Sequence, residues 1–247
     1  PLLIEAFKKI DRKDFLPRSD AKHLLRGVPE DVEGEAYGNY PLPIGFGQTI
    51  SQPLTVAFMI ELLDPKPGEK ILDVGAGSGW QTALLAYIVS KTLISADSTQ
   101  THAEINQRKS AFNPRKSAGY VVAVERIKEL KEMAEGNVKK YNFIEKGIVK
   151  MFLGDGSKGA PPHLRPTEGF DKIIAAAAIY PRESASVPRS SAIGAIPKEW
   201  KEQLKVGGRI VCPVFQSIWV LDKMSEKEFR KQEYFGFSFV PLISDSE

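Results

Sequence analysis

The run of small residues from Gly75 to Gly79 is the stretch of this chain with the clearest chemical use. Its three glycines alternate with Ala76 and Ser78, and the run follows a short apolar segment that contains Asp73. Because glycine has no Cβ, such a turn lets a ligand approach the backbone closely. The spacing G-x-G-x-G differs from the G-x-G-x-x-G of dinucleotide-binding sites. The pattern therefore favours a nucleotide-type cofactor site, and a tight structural turn without a ligand is the alternative.

Two acidic residues follow later apolar segments. Glu125 ends the segment Tyr120–Val124, and Asp155 follows Val149–Leu153. A carboxylate at such a strand end can accept hydrogen bonds from both hydroxyls of a ribose. Glu125 lies 46 residues after Gly79. The customary distance is about 20 residues, and we attribute the excess to an insertion between the two elements. Each acid alone is equally well explained as a solvated carboxylate, but their placement at successive strand ends favours a site.

A second informative stretch, N-Y-P-L-P-I-G-F-G-Q-T-I-S-Q-P, occupies residues 39–53. Its prolines stiffen the backbone, and its glycines allow a bound chain to come close. Gln48, Thr49 and Ser51 add neutral hydrogen-bond donors that suit a carboxylate. A cofactor site alone does not need such a loop, so the stretch predicts a separate site for a substrate.

The elements expected to position these residues alternate between strand and helix. Such alternation predicts an α/β fold with a mostly parallel, doubly wound sheet and helices on both of its faces. Two further strands at the C-terminus favour an antiparallel edge. The predicted strands are Lys70–Val74, Tyr120–Glu125, Val149–Leu153, Phe170–Ala177, Arg209–Val214, Ile218–Leu221 and Phe235–Val240. The predicted helices are Leu3–Ile10, Thr55–Leu63, Trp80–Ser90, Ile127–Tyr141 and Lys198–Leu204.

The length of 247 residues suits a single domain. We expect residues 1–68 to supply N-terminal helices and the substrate loop, and residues 69–247 to supply the cofactor-binding core. Two stretches interrupt the alternation, at about 92–118 and 180–196, and both are rich in Ser, Ala, Pro, Arg and Lys. We expect both to be surface insertions.

The composition excludes several other classes of protein. A hydrophobic content of 42% and a charged content of 26% are typical of globular proteins. The net charge of +3 gives no indication of nucleic-acid binding. The lone Cys212, expected to be a buried apolar residue, excludes an internal disulfide, and the three histidines share no metal-ligand spacing. No apolar run is long enough for a membrane span, and no signal segment is seen. We therefore expect a cytoplasmic monomer without a metal, a nucleic-acid partner or a membrane partner.

The loop phrase P-L-P-I-G-x-G-Q-T-I-S-x-P resembles the protein-L-isoaspartate O-methyltransferase family. The glycine turn, with its preceding Asp73, resembles the first motif of class I methyltransferases that use S-adenosylmethionine. The resemblance covers most of the chain outside the insertions and implies a Rossmann-like class I methyltransferase fold. Its other matching stretches are Asp14–Pro17, Val124–Ile127, Gly154–Gly159, Leu204–Arg209 and Phe239–Leu242.

This resemblance implies an activity and the residues that carry it. The enzyme would transfer the methyl group of S-adenosylmethionine to the free carboxylate of isoaspartyl residues in damaged proteins, leaving S-adenosylhomocysteine. The methyl ester would then collapse to a succinimide and so begin repair. Ser51 takes the position of the family's active-site serine. The implied substrate-binding residues are Gln48, Thr49, Ile50, Val240 and Leu242. The implied cofactor-binding residues are Asp73, Gly75, Ala76, Gly77, Ser78, Glu125, Arg126, Asp155 and Gly156.

The chain departs from the family pattern at two places. Trp80 stands where a tyrosine is common, and residues 175–178 are four alanines where the family carries threonine and glycine among small residues. Two other functions stay open at this point. One is a related class I methyltransferase that acts on RNA or on a small molecule, although this leaves the P-L-P-I-G loop unexplained. The other is a catalytically silent protein that binds the cofactor and uses its insertions for partners.

Overall fold

The computed structural model describes residues 1–17, 28–29, 31–91, 119–180 and 194–243. The first predicted insertion, residues 92–118, lies outside the described residues, as do residues 181–193 of the second. The helices are α1 (Leu2–Lys9), α2 (Pro53–Leu63), α3 (Trp80–Val89), α4 (Lys128–Lys139) and α5 (Lys198–Gln203). The strands are β1 (Leu42–Gly45), β2 (Gln48–Ile50), β3 (Lys70–Val74), β4 (Tyr120–Glu125), β5 (Val149–Leu153), β6 (Phe170–Ala175), β7 (Leu204–Val214), β8 (Ser217–Lys223) and β9 (Phe229–Phe235).

A seven-stranded sheet in the order β5-β4-β3-β6-β7-β8-β9 forms the centre of the described chain. The first five strands of this order are parallel, and β8 and β9 are antiparallel. This arrangement confirms the predicted α/β class and its antiparallel C-terminal edge. The central strand β3 has β4 on one side and β6 on the other, so the strand order reverses there. A crevice for ligands is expected at the carboxyl ends of strands around such a switch point.

Alternation along the central strands separates the core into two parts. Ile71 of β3 belongs to the cluster formed with helices α1 to α4, whereas the adjacent Leu72 belongs to the cluster that contains Trp200 of α5. Both side chains are fully buried because the sheet is covered on both faces, which is the environment of a central parallel strand. Cys212 of β7 is buried in the second cluster, as predicted. None of the helices in the described ranges combines the length and the apolar character that crossing a bilayer requires.

The N-terminal residues pack into the same core as the sheet. Ala6 of α1 and Phe15 are fully buried in the first cluster together with Leu84 of α3. The stretch of residues 39–53 contains more regular structure than expected of a loop, because β1 and β2 form a two-stranded antiparallel hairpin. A tight turn at residues 45–47 connects the two strands, and all three of its residues have positive φ angles.

The predicted strand Phe235–Val240 is wrong. The last strand, β9, runs from Phe229 to Phe235, and Gly236, with a φ of 95°, turns the chain out of the sheet. Four of its seven residues are charged or carry an amide, as suits an edge strand, and the apolar pattern after it was misleading. At the start of the predicted strand, Phe235 is 71% exposed. Phe237 instead stacks on Phe58 of α2 with ring centroids 5.5 Å apart.

The second insertion was expected to lie on the surface, and its last residue does not. Ile196 is buried in the core cluster on the α5 face of the sheet. It directly precedes Pro197, the N-cap residue of α5. The end of this segment is therefore part of the fold.

Candidate active site

A cavity of about 400 Å³ opens at the carboxyl ends of β3, β4 and β6. It lies at the point where the strand order of the sheet reverses. Its wall combines the β1–β2 hairpin, the glycine turn, the end of β4, the segment after β6 and residues 238–243. Ten of the predicted site residues line this cavity: Gln48, Thr49, Ser51, Gly75, Gly77, Glu125, Arg126, Gly156, Val240 and Leu242.

Backbone amides fix the carboxylate of Glu125 at the cavity wall. Its Oε2 accepts a hydrogen bond from Gly77 N at 2.9 Å, and its Oε1 accepts from Arg126 N at 2.8 Å and from Ile127 N at 3.0 Å. The side chain is buried. A carboxylate has about four lone-pair positions, so acceptor capacity is left for a ligand that donates hydrogen bonds.

The glycine turn provides space more than donors. Both Gly75 N and Ala76 N donate to Val124 O, at 2.9 and 3.1 Å, and the Gly77 amide is used by Glu125. Gly75 has a φ of 80°, and a Cβ at this position would point toward the side chains of Ala176 and Ala177, 4.0 Å away. The amides of Gly75, Ala76 and Gly77 are therefore already hydrogen-bonded within the protein. The turn supplies clearance opposite Ala176 and Ala177, which follow β6.

Asp73 lies beneath the cavity and outside its lining. Its carboxylate accepts hydrogen bonds from Gln81 Nε2 at 2.8 Å and from Thr82 Oγ1 at 2.6 Å. Complete burial raises the pKa of Asp73 to about 6, and these two hydrogen bonds oppose the rise. Asp73 thus ties the end of β3 to the first turn of α3, which follows the glycine turn.

Four more predicted residues are buried beside the cavity without lining it. Ala76 and Ser78 are buried in the glycine turn, and Ser78 O accepts a hydrogen bond from Asn137 Nδ2 at 3.0 Å. Asp155 accepts from Ser157 N at 2.8 Å and so caps the 3₁₀ turn that begins at Gly156. Ile50 points into the core. All four residues therefore lie behind the cavity wall and pack against the residues that form it.

Polar residues not predicted from the sequence also line the cavity. Gln52 is the N-cap residue of α2 and Thr55 lies in its first turn. Ser238 is the first of the residues 238–243 that line the cavity after β9. Thr55 adds a second hydroxyl group to the cavity wall. Its hydroxyl group, four residues after Ser51 in the sequence, was the signal that could have indicated it. The contribution of Ser238 was hidden by the wrong strand prediction around it.

The two sides of the cavity differ in chemistry. The side formed by the glycine turn and the end of β4, here called the cofactor side, has the carboxylate of Glu125. The side formed by the hairpin and α2 has hydroxyl and amide groups. Within the described ranges, no group of three or more His, Cys, Asp or Glu side chains is arranged to hold a metal ion. The site is thus suited to two organic ligands that meet between the glycine turn and the hairpin.

Comparison with known proteins decides the family. A sequence profile described as protein-L-isoaspartate(D-aspartate) O-methyltransferase matches residues 2–247. The chain belongs to this family. The protein-L-isoaspartate O-methyltransferase of Methanopyrus kandleri is 37% identical over 245 residues, covering 98% of this chain and 83% of the relative. That of Aeropyrum pernix is 39% identical over 229 residues, covering 91% of this chain and 69% of the relative.

Solved structures of the isoaspartyl methyltransferase family share the fold. A Plasmodium falciparum protein described as a putative protein-L-isoaspartate O-methyltransferase, in complex with S-adenosyl-L-homocysteine, aligns with a TM-score of 0.65. It is 19% identical, and the match covers 98% of this chain and 90% of that one. A second protein-L-isoaspartate O-methyltransferase aligns with a TM-score of 0.66 at 20% identity, covering 98% of this chain and 61% of that one. The class I methyltransferase fold implied by the motifs is confirmed.

Proposed function

We propose that this chain transfers the methyl group of S-adenosylmethionine to the free carboxylate of isoaspartyl residues in proteins. The observation that carries the proposal is the shared cavity. One of its walls is the glycine turn with Glu125, and another is the P-L-P-I-G hairpin with Gln48, Thr49 and Ser51. A cofactor and a separate substrate chain therefore have adjoining places in one site.

The cofactor side fits S-adenosylmethionine on the donor chemistry of its residues. Glu125 is held rigidly by three amides, and its carboxylate has acceptor capacity left for a ribose hydroxyl group. Gly75 leaves the space between the ends of β3 and β6 clear. When bound, the cofactor supplies an electrophilic methyl group on a positively charged sulfur.

The nucleophile in this reaction needs no activation by a base. A free carboxylate of an isoaspartyl residue has a reference pKa of roughly 3.5 to 4 and is ionised at neutral pH. Ser51 therefore has no proton to remove, and we assign it the task of orienting the carboxylate through its hydroxyl group. Alignment of two reactants can supply about 7–11 kcal/mol of the barrier reduction.

Neutral donors suit this task better than cations. Negative charge on the carboxylate is lost as the methyl group is transferred, so a strong cation beside it would stabilise the reactants more than the transition state. The hairpin side of the cavity offers Gln48, Thr49 and Ser51, all of them neutral. This part of the wall meets the chemical requirement.

The decisive experiment is methyl transfer from tritiated S-adenosylmethionine to matched peptides that contain either L-isoaspartate or L-aspartate. We expect base-labile label on the isoaspartyl peptide alone. Equal labelling of both peptides would contradict the assigned substrate. Absence of label, with cofactor binding confirmed by calorimetry, would favour a silent cofactor-binding protein.

A further inference from the structure

The side chain of Arg12 is almost completely buried, at 4% exposure, beneath the substrate hairpin. Its Nη1 donates hydrogen bonds to Ala36 O at 2.8 Å and to Gly38 O at 3.2 Å. Its Nη2 donates to Tyr40 O at 2.9 Å and to Ser51 O at 3.1 Å. Three of these carbonyl groups precede β1, and that of Ser51 follows β2. One guanidinium group therefore closes the base of the hairpin.

This contact requires the planar fork of arginine. The four acceptors are backbone carbonyls, and no salt bridge to Arg12 is found among the described residues. Burial lowers the pKa of Arg12 to about 10, which still leaves the group charged at neutral pH. A lysine ammonium is a compact point charge and does not reproduce bonds that diverge from two nitrogens. Arginine also stays within hydrogen-bond reach of both chain segments.

The same guanidinium group contacts the cofactor side of the site. Its carbon lies 5.4 Å from the ring centroid of Trp80, the first residue of α3 after the glycine turn. The hairpin contacts that turn directly, because a Cβ on Gly77 would lie 3.5 Å from Ile44 Cδ1. Arg12 is thus located between the structure that holds the cofactor and the structure that holds the substrate.

The segment that carries Arg12 is itself well anchored. Asp14, two residues later, accepts a hydrogen bond from Tyr141 Oη at 2.6 Å. Phe15 stacks on the ring of Tyr141 with centroids 5.8 Å apart. Because this segment is held in place, the hydrogen bonds from Arg12 also hold the hairpin in place relative to the core.

We infer that Arg12 is a positioning residue for methyl transfer, which holds the backbone of Ser51 and the hairpin in register with the cofactor turn. Arg12 does not touch the reacting groups. By fixing Ser51 O, it fixes the direction in which the Ser51 side chain leaves the backbone. Its role in catalysis rests on the proposed function, whereas its effect on the hairpin does not.

The test compares Arg12→Lys and Arg12→Met with Lys223→Met. Lys223 is a suitable control because its Nζ is also buried, at 2% exposure, and donates to the backbone carbonyls of Lys201 and Leu204, away from the cavity. Four quantities are measured for each variant: kcat, KM for the isoaspartyl peptide, the Kd of S-adenosylhomocysteine by calorimetry, and amide hydrogen exchange by mass spectrometry. All assays are run at one temperature at which each variant is folded, and Arg12→Lys, which keeps the charge and the stem, is the informative variant if Arg12→Met is unfolded.

We expect kcat/KM to fall about 100-fold in Arg12→Lys, the size of effect that a displacement of about 1 Å can cause. The Kd of S-adenosylhomocysteine should change less than about 3-fold, a difference of under 0.7 kcal/mol. Amides of residues 42–50 should exchange faster, and those of β3 should not. Lys223→Met should leave kcat/KM within about 3-fold of wild type, again a difference of under 0.7 kcal/mol.

Retention of kcat/KM in Arg12→Lys would overturn the inference, as would an equal loss in Lys223→Met. Unchanged exchange in the hairpin would also overturn it, whatever the activity. If the wild-type chain methylates neither peptide, the proposed function fails. The exchange measurement then still decides whether Arg12 holds the hairpin.

Discussion

The carboxylate of Glu125 accepts a hydrogen bond from the amide of Gly77 across 2.9 Å, and this bond joins the end of β4 to the glycine turn after β3. Two neighbouring strands thus contribute one rigid wall to the cavity. The acid is held by the backbone before any ligand arrives, so little reorganisation is needed on binding. This wall can be tested at Glu125 and at Gly75, the first residue of the glycine turn.

Replacing Glu125 by glutamine should weaken cofactor binding. The amide side chain loses one acceptor oxygen and places an NH₂ group against backbone N–H donors. Because hydrogen bonds to charged groups contribute about 1.5–3 kcal/mol, we expect the Kd of S-adenosylhomocysteine to rise about 10- to 100-fold by calorimetry. Glu129→Gln, an equal change of charge on the exposed first turn of α4, is the control. Equal affinities of the two variants would contradict the assignment.

Gly75→Ala should affect both stability and binding. With a φ of 80°, a side chain at this position is strained by about 1–2 kcal/mol, and its Cβ would narrow the space opposite Ala176 and Ala177. Urea unfolding and cofactor titration measure the two effects. Gly136→Ala is the control, because Gly136 lies in α4 with nothing near its missing Cβ. There alanine should stabilise the protein by up to about 1 kcal/mol, and a similar gain at Gly75 would contradict the argument.

The central fold was predictable because its pattern is local. Adjacent residues such as Ile71 and Leu72 are both apolar since both faces of β3 are covered, and a glycine turn follows that strand directly. The edge strand β9 mixes charged and aromatic residues and has no such signal. The hairpin was not predicted because Pro41 and Pro43 are unusual next to and within a strand. Its turn has positive φ angles at successive residues, one of which is not a glycine.

Much of the site was predictable from motifs, but its supporting contacts were not. Glu125 could be placed at a strand end because it directly follows the apolar segment Tyr120–Val124. The burial of Asp73 under the cavity depends on Gln81 and Thr82 of α3, whose side-chain directions the sequence does not specify. The four acceptors of Arg12 are backbone carbonyls, which no residue type reveals. Such contacts become visible only when the chain is folded.

The buried Asp73 should make stability depend on pH in an unusual direction. Its folded pKa of about 6 lies above the ordinary value of 3.8 because burial disfavours the charged form. Between these pH values the native state therefore binds more protons than the unfolded state, so this residue lowers stability as pH rises from about 4 to 6 and has a constant effect above pH 6.

Asp73→Asn removes this titration. The variant should gain stability over wild type as pH rises, by at most about 3 kcal/mol at pH 7.5, and the gain should be smaller at pH 4.5. Denaturant unfolding at both pH values provides the measurement. Glu61→Gln, on an exposed part of α2, should show no such difference. A gain that is equal at both pH values would mean that the charge of Asp73 is not its cause.

Ser51→Ala should separate catalysis from cofactor binding. The hydroxyl group lines the cavity on the hairpin side, whereas Glu125 and Gly75 lie on the cofactor side. Loss of a hydrogen bond to a carboxylate costs about 1.5–3 kcal/mol, so we expect the rate of isoaspartyl methylation to fall about 10- to 100-fold. The Kd of S-adenosylhomocysteine should stay nearly unchanged in calorimetry. An equal loss of both would show that Ser51 is structural.

Thr55→Val provides the comparison within the same cavity. Thr55 also lines the wall, in the first turn of α2 and four residues after Ser51, and valine keeps its shape while removing its hydroxyl group. If Ser51 orients the carboxylate, Thr55→Val should have a smaller effect on the rate than Ser51→Ala. The opposite order would transfer the orienting role to Thr55. Because neither side chain has a charge, the pH profile of the remaining activity should match that of wild type in both variants. A difference in rate between the two variants then reports the position of the lost hydroxyl group.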